Sequence, residues 1–193
     1  DADVAVFELQ ASSAGKLNCA ISLQMPAEMN FPKGLKTKCL HTKDYLNIRV
    51  NYAAPMDTIG YEGGIRVKQK GGSSFLRNDT LYIKDASEIL LLSRTQKYPE
   101  NCGAEWNKGL LKKGLDAIRA NYNGLLKAHK ALHTSIYNRV RIDLGATPQE
   151  RSLSNEELLE KQKNTDQPVL ALWERIFDAG RYHFLSSGNE LTP

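Results

Sequence analysis

His129 and His133 stand one helical turn apart in AHKALHT, and two imidazoles so placed on one helix face can hold a divalent metal. A stable site needs a third ligand. Neither His41 nor His183 falls at a supporting spacing, so no metal site is expected, and His129 reads as a packing residue on an apolar stripe. The cysteines, Cys19, Cys39 and Cys102, are too few and too scattered for a zinc site or a disulfide scaffold. Cys19 and Cys39 both fall in strand-like segments, where they can form one bridge or stay as two buried free thiols, the reading the pattern favours. Gly71-Gly72 lies between strand-like runs and lacks the Lys-Ser/Thr of a phosphate loop. There is no HExxH, CxxC or EF-hand pattern, and no nucleophile elbow. Glu156 and Glu157 follow Ser154 as a capping box, which accounts for both carboxylates. Asn78-Asp79-Thr80 is a formal glycosylation sequon. No catalytic residue and no cofactor are therefore expected within the chain.

The composition fits an ordinary globular protein: 193 residues, 41% hydrophobic and 25% charged. A net charge of +4 and a pI near 8.9 are only mildly basic, and no groove-reading element concentrates that charge. Lysines 108, 112, 113, 127 and 130 read as the solvated side of helices, so no nucleic-acid partner is expected. No apolar run approaches the ~20 residues that span a bilayer. The first residues, Asp1-Ala2-Asp3-Val4, lack the character of a signal peptide, which fits a removed signal and missing upstream residues equally.

The first half has the texture of strands. In KLNCAISLQMP, Leu17, Cys19, Ile21, Leu23 and Met25 are apolar at every second position, the period of a strand with one buried face. Leu46, Ile48, Val50 and Tyr52 repeat it, and shorter runs follow at Ile65–Val67, Leu81–Ile83 and Ile89–Leu92. Gly63-Gly64, Gly71-Gly72 and Asn78-Asp79 read as turns between them. Many short strands of this kind predict an antiparallel β-sandwich.

From about Trp106 the period changes. Leu111, Leu115, Ile118, Tyr122, Leu125, His129, Leu132 and Ile136 alternate by fours and threes, which predicts a helix pair broken at an Asn121 N-cap. Arg139 to Gly145 alternates again, as a short strand or an extended link. The capping box at Ser154 starts a short helix. Asp166-Gln167-Pro168 opens another, with proline in its first turn. On this last helix Val169, Leu172, Trp173, Ile176, Phe177, Gly180 and Phe184 share a broad apolar face, which predicts a larger covering body.

Three stretches together resemble glycoside hydrolase family 95, the inverting α-L-fucosidases and related α-L-galactosidases. The first runs through Ile65-Arg66-Val67, Gly71-Gly72, Leu81-Tyr82-Ile83, Asp85-Ala86, Glu88 to Leu92 and Thr95-Gln96-Lys97-Tyr98, in the order of the family's N-terminal β-domain. The second, Ala128-His129 with Tyr137-Asn138-Arg139-Val140 and Ile142-Asp143-Leu144-Gly145, is similar to its RH…Y…RV-x-LDLG linker. The third, Phe177-Asp178-Ala179-Gly180-Arg181-Tyr182 with Leu185-Ser186-Ser187, looks like the F-x-x-GRYLLISSS helix at the entrance to the catalytic barrel. The residues after it, Gly188 to Pro193, depart from the SRPG continuation common in the family.

The resemblance implies a β plus α layout. Residues 1–105 would form a supersandwich-like β-domain, 106–150 a helical linker with a short strand, and 151–193 the first helices of a truncated (α/α)6 barrel. It implies an oligosaccharide substrate, a secreted or periplasmic location, and an acid and base on barrel segments downstream of this chain, which alone would be inert. The missing barrel would cover the apolar face of the last helix, and Ser186, Ser187, Asn189 and Glu190 would border the sugar pocket. The alternative is a non-catalytic β-sandwich that binds carbohydrate or another protein, using strand-borne aromatics such as Tyr45, Tyr52, Tyr61 and Tyr82.

Overall fold

A computed structural model of the chain describes residues 3–26, 31, 33–98 and 108–187. The chain divides into two compact units, Asp1–Leu125 and Leu126–Pro193.

The first unit is built on two antiparallel sheets. One has five strands in the order β1 (Ala5–Gln10), β8 (Glu88–Tyr98), β5 (Gly60–Lys70), β4 (Tyr45–Asn51), β3 (Lys36–Cys39). The other has three, β2 (Leu17–Ser22), β7 (Thr80–Ala86) and β6 (Ser73–Arg77). The alternation of apolar residues explains their pairing. Leu46, Val67 and Ile89 from the larger sheet meet Leu81, Ile83 and Ala86 from the smaller in one buried cluster, flanked by Leu17, Cys19 and Ile21 of β2. Burying that layer from both sides is what a sandwich accomplishes. β3 and β1 are the edges of the five-stranded sheet.

Two of the crossings between the sheets lie side by side. Gly71 and Gly72, both at positive φ, carry it from β5 to β6. A Cβ on Gly72 would lie 2.1 Å from the Lys84 carbonyl oxygen, so only glycine fits there. Ser87 pins the return crossing: its N–H donates to Lys70 O (2.8 Å), its carbonyl accepts from Ala11 N–H (3.0 Å), and its Oγ accepts from Gly15 N–H (3.1 Å). Asn78 and Asp79, both at positive φ, form the two-residue turn between β6 and β7 that the sequence predicts.

Gly63-Gly64 is not a turn. The pair lies in the middle of β5, opposite Asn47 and Ile48 on one side and Thr95 and Arg94 on the other. A Cβ on Gly64 would sit 2.5 Å from the Tyr45 hydroxyl and 3.0 Å from Leu111. The glycine therefore opens a notch in the sheet that the Tyr45 ring fills. Leu111 belongs to α1 (Leu110–Ala117), and Leu111 and Leu115 bury against Tyr45 and Leu92 on the sheet face turned away from the sandwich core. Arg66 fastens the end of α1, its Nη1 donating to the carbonyls of Leu115 (3.0 Å) and Ile118 (2.8 Å), where a guanidinium complements the helix dipole.

The helical break at Asn121 is present. Its Oδ1 accepts from Gly124 N–H at 3.2 Å, ahead of α2 (Tyr122–Tyr137). In the second unit the stretch from Arg139 to Gly145 is an extended link with no ladder partner among the described residues, and Gly145 ends it at φ 84°. Two capping boxes follow. Thr147 and Glu150 start α3 (Pro148–Ser152), which the sequence pattern did not announce, and Ser154 and Glu157 start α4 (Asn155–Lys163), which it did. The last helix, α5 (Leu170–Ser187), begins two residues after Pro168, with Val169 O accepting from Leu172 and Trp173 N–H. The core of this unit is small: Ala146, Leu158, Val169, Ala171 and Leu172. The apolar face of α5 is accordingly split. Val169 and Leu172 are buried, whereas Trp173, Ile176, Tyr182 and Phe184 are each at least half exposed, Phe184 at 79%.

Candidate functional site

Acid–base chemistry in a folded protein is sought first at buried ionisable groups. Among the described residues two carboxylates are nearly excluded from solvent, Glu62 and Glu174, one in each unit.

Glu62 sits on β5, on the same side of the sheet as Asn47 and Arg49 of β4 and Tyr98 of β8. Its Oε1 accepts from Asn47 Nδ2 (2.8 Å) and Arg49 Nε (3.2 Å), and its Oε2 from the Tyr98 hydroxyl (2.9 Å). The Asn47 amide also reaches Gly63 O and the Tyr45 hydroxyl. Its backbone N–H donates to His41 Nδ1 at 3.1 Å, which makes that ring nitrogen an acceptor. Burial, then the neighbouring Glu62 charge, pushes the Tyr45 phenol up to about 12. Both Glu62 oxygens are thus occupied by donors from β4 and β8. The arrangement clasps three strands and leaves no free edge for a reacting group.

Glu174, on α5, makes a different kind of closure. Arg151 Nε meets Oε2 and Arg151 Nη2 meets Oε1, both at 2.9 Å, a two-pronged guanidinium–carboxylate pair. Leu144 N–H donates to Oε1 at 2.8 Å. The same Nη2 reaches Asp143 Oδ1 at 2.6 Å, and that oxygen accepts from Gly145 N–H at 2.9 Å. Hydrogen bonding from Arg151, then from the Leu144 backbone, holds the Glu174 carboxyl at about 2, far below the ordinary 4.5. A group ionised this firmly cannot deliver a proton near neutral pH. It positions the extended link and α3 on α5.

Two more guanidinium groups of α5 act alongside it. Arg175 donates to Asn155 Oδ1 (2.8 Å) and to the carbonyls of Arg151 (2.9 Å) and Leu153 (2.5 Å). Arg181 donates to Val140 O (2.7 Å) and Tyr137 O (2.9 Å) while lying over the Tyr137 and Phe177 rings. Thus Asp143, Gly145 and Arg181, all within the motif-bearing stretches, work together in binding the link to the last helix. Arg151 and Glu174 were not legible as partners, because a pair 23 residues apart leaves no local spacing signal.

Ser186 and Ser187 are exposed at the end of α5, and Ser187 Oγ donates to Phe184 O at 3.0 Å. Asn189 and Glu190 lie outside the described residues. His129 and His133 stack at 5.9 Å between ring centroids, and His133 continues the stack to Tyr137 (5.4 Å) and meets the Tyr182 ring at a tilt of 55° (5.3 Å). Among the described residues no three His, Cys, Asp or Glu side chains group to hold a metal ion. Cys19 and Cys39 are on strands of different sheets and both are free thiols, raised in pKa by burial and, for Cys39, by the charge of Asp79. Of the tyrosines considered as a platform, Tyr45 is buried, Tyr52 and Tyr61 pair with each other, and Tyr82 stacks on its cross-strand neighbour Phe75 at 5.2 Å.

Residues 121–192 match the family model described as the glycosyl hydrolase family 95 catalytic domain. No curated protein matches the chain. The matched span contains the second and third motif stretches and the whole Asp143–Arg151–Glu174 cluster, and the β-strand stretch from Ile65 to Tyr98 lies outside it.

Proposed function

With residues 121–192 carrying the pattern of a glycoside hydrolase family 95 catalytic domain, we propose that the protein hydrolyses α-L-fucosides or related α-linked sugars with inversion. The observation that carries this reading is the family match across the link and α5. In such a mechanism one carboxylic acid protonates the leaving oxygen while a base activates water on the opposite face, the two ~6.5–9.5 Å apart. The buried carboxylates Glu62 and Glu174 are committed to their own strands and helices. On this reading the acid and base lie on barrel segments beyond these 193 residues, as the family resemblance implies.

On this reading the second unit supplies the entry to the barrel. The exposed Trp173, Ile176, Tyr182 and Phe184 of α5 would be the surface on which the remaining barrel helices pack. Ser186 and Ser187, with Asn189 and Glu190 beyond them, would border the sugar pocket, and the enzyme would work in a secreted or periplasmic setting.

The test compares this chain with a longer one, extended in the natural reading frame, on 4-nitrophenyl α-L-fucoside. The longer chain should release nitrophenol, and NMR should show the β-anomer of fucose forming first. The 193-residue chain should release none. Turnover by the short chain would refute the placement of the acid and base, and retention in the longer one would refute the inverting mechanism.

A further inference from the structure

A recess of about 380 Å³ lies in the first unit, between the β1–β8 edge of the larger sheet and the α1–α2 connection. Glu8 and Glu88 line it from the strands, where Glu8 faces Leu90 and Glu88 faces Gln10 across the ladder. The pairing puts both carboxylates on one side of the sheet, two positions apart. Arg119, Asn121, Tyr122 and Asn123 line it from the connection and the first turn of α2. The volume falls within the range of small-molecule sites, about 300–1,000 Å³.

The charged groups in this recess are unsatisfied by the protein. Neither the Glu8 and Glu88 carboxylates nor the Arg119 guanidinium has a hydrogen bond or ion pair with another described residue. Elsewhere in the same unit Arg49, Arg66 and Arg94 each meet a carboxylate. Asn121 uses its Oδ1 to cap α2, which leaves its amide N–H groups free to donate.

The mixture of groups selects the ligand chemistry. Two carboxylates can only accept, a guanidinium can only donate, and the Asn123 amide does both. A cation would find Arg119 opposing it, and an anion would find Glu8 and Glu88. A sugar hydroxyl donates and accepts at once, so vicinal hydroxyls can satisfy both signs with no net charge. The geometry points to a saccharide-binding site in the β unit, made by Glu8, Glu88, Arg119 and Asn123. It stands apart from the catalytic reading and does not depend on it.

The test is saturation-transfer NMR on the full 193-residue chain with L-fucose, D-galactose, D-glucose and D-mannose, each titrated singly. At least one sugar should bind in the millimolar range. Loss of a hydrogen bond to a charged group should weaken it about tenfold in Arg119→Ala and in Glu88→Gln. Trp173→Ala, in the other unit, should leave binding unchanged. The two recess variants should keep the parent circular dichroism spectrum, since neither side chain has a partner to lose. Absence of transfer from all four sugars would overturn the site, as would transfer that survives both recess variants or is displaced by glycine. Because the panel spans several configurations, failure of the fucoside assay leaves this result interpretable, and failure of the panel leaves the catalytic reading intact.

Discussion

Arg151 and Glu174 meet edge to edge with two bonds of 2.9 Å, and through this contact α3 is fixed to α5. The Glu174 carboxyl is held at about 2, below its ordinary 4.5, so the folded state binds its proton less tightly than the unfolded chain. Its stabilising contribution is complete above about 4.5 and disappears as pH falls toward about 2. Thermal melts should therefore show a loss of stability in this window. Glu174→Gln should melt several degrees lower at pH 7 and have a shallower acid slope. An unchanged slope in the variant would assign the acid sensitivity to other carboxylates.

Tyr45 gives the opposite dependence. Its phenol is pushed up to about 12 from 10, so its contribution is present below about 10 and is lost as pH rises through about 12. Ultraviolet titration of the folded protein should show Tyr45 among the tyrosines that ionise late. Tyr45→Phe should remove one late-titrating equivalent. Loss of an ordinary early-titrating tyrosine instead would contradict the buried position.

The notch in β5 predicts a contrast between two glycines. Gly64→Ala places a methyl 2.5 Å from the Tyr45 hydroxyl and should cost about 1–3 kcal/mol in denaturant unfolding. Gly180, within α5, has nothing within 4 Å of an added Cβ, so Gly180→Ala should stabilise by about 0.5–1 kcal/mol. Equal effects at the two sites would mean that β5 is free to move away from Tyr45.

The exposed side of α5 supplies a fourth test. Phe184→Ser should change the stability of this chain by less than about 0.5 kcal/mol, because its ring lies largely in water, and Trp173→Ser, whose ring is half-buried, should cost more. Binding of a hydrophobic fluorescent dye should fall in both. On the proposed reading, the same Phe184→Ser in a chain extended to include the barrel should become destabilising by about 2 kcal/mol or more, as expected if the ring is buried there. Equal, small effects in both chains would argue against the barrel packing on this face.

Periodicity made much of the fold legible. Alternation located β2, β4 and β7, and the threes and fours located both the helices and their break at Asn121. Asn78-Asp79 and Gly71-Gly72 identified turns because positive φ was required at each. Gly63-Gly64 misled for the complementary reason. Glycine also marks a close approach inside a strand, and only the positions of Tyr45 and Leu111 distinguish the two uses. Strand β6 offered too few apolar residues for alternation to register, because Phe75 and Leu76 are adjacent. The clasp at Glu62 was hidden further still. Its donors Asn47, Arg49 and Tyr98 come from strands joined only by the ladder, and a buried carboxylate looks like a surface one in a sequence. The link from Asp143 to Gly145 was visible as a motif, and its role became visible once Arg151 and Glu174 were in place.

The edge strand β3 carries Lys36, Thr37 and Lys38 in a row, all exposed. An open edge offers unpaired N–H and C=O groups to any extended chain that approaches, including a second copy of this one. Two copies joining there would bring ammonium groups face to face before a single new rung of the ladder could form. That repulsion guards against fibre growth from this side, and it acts while the sheet is still assembling, when the danger is greatest.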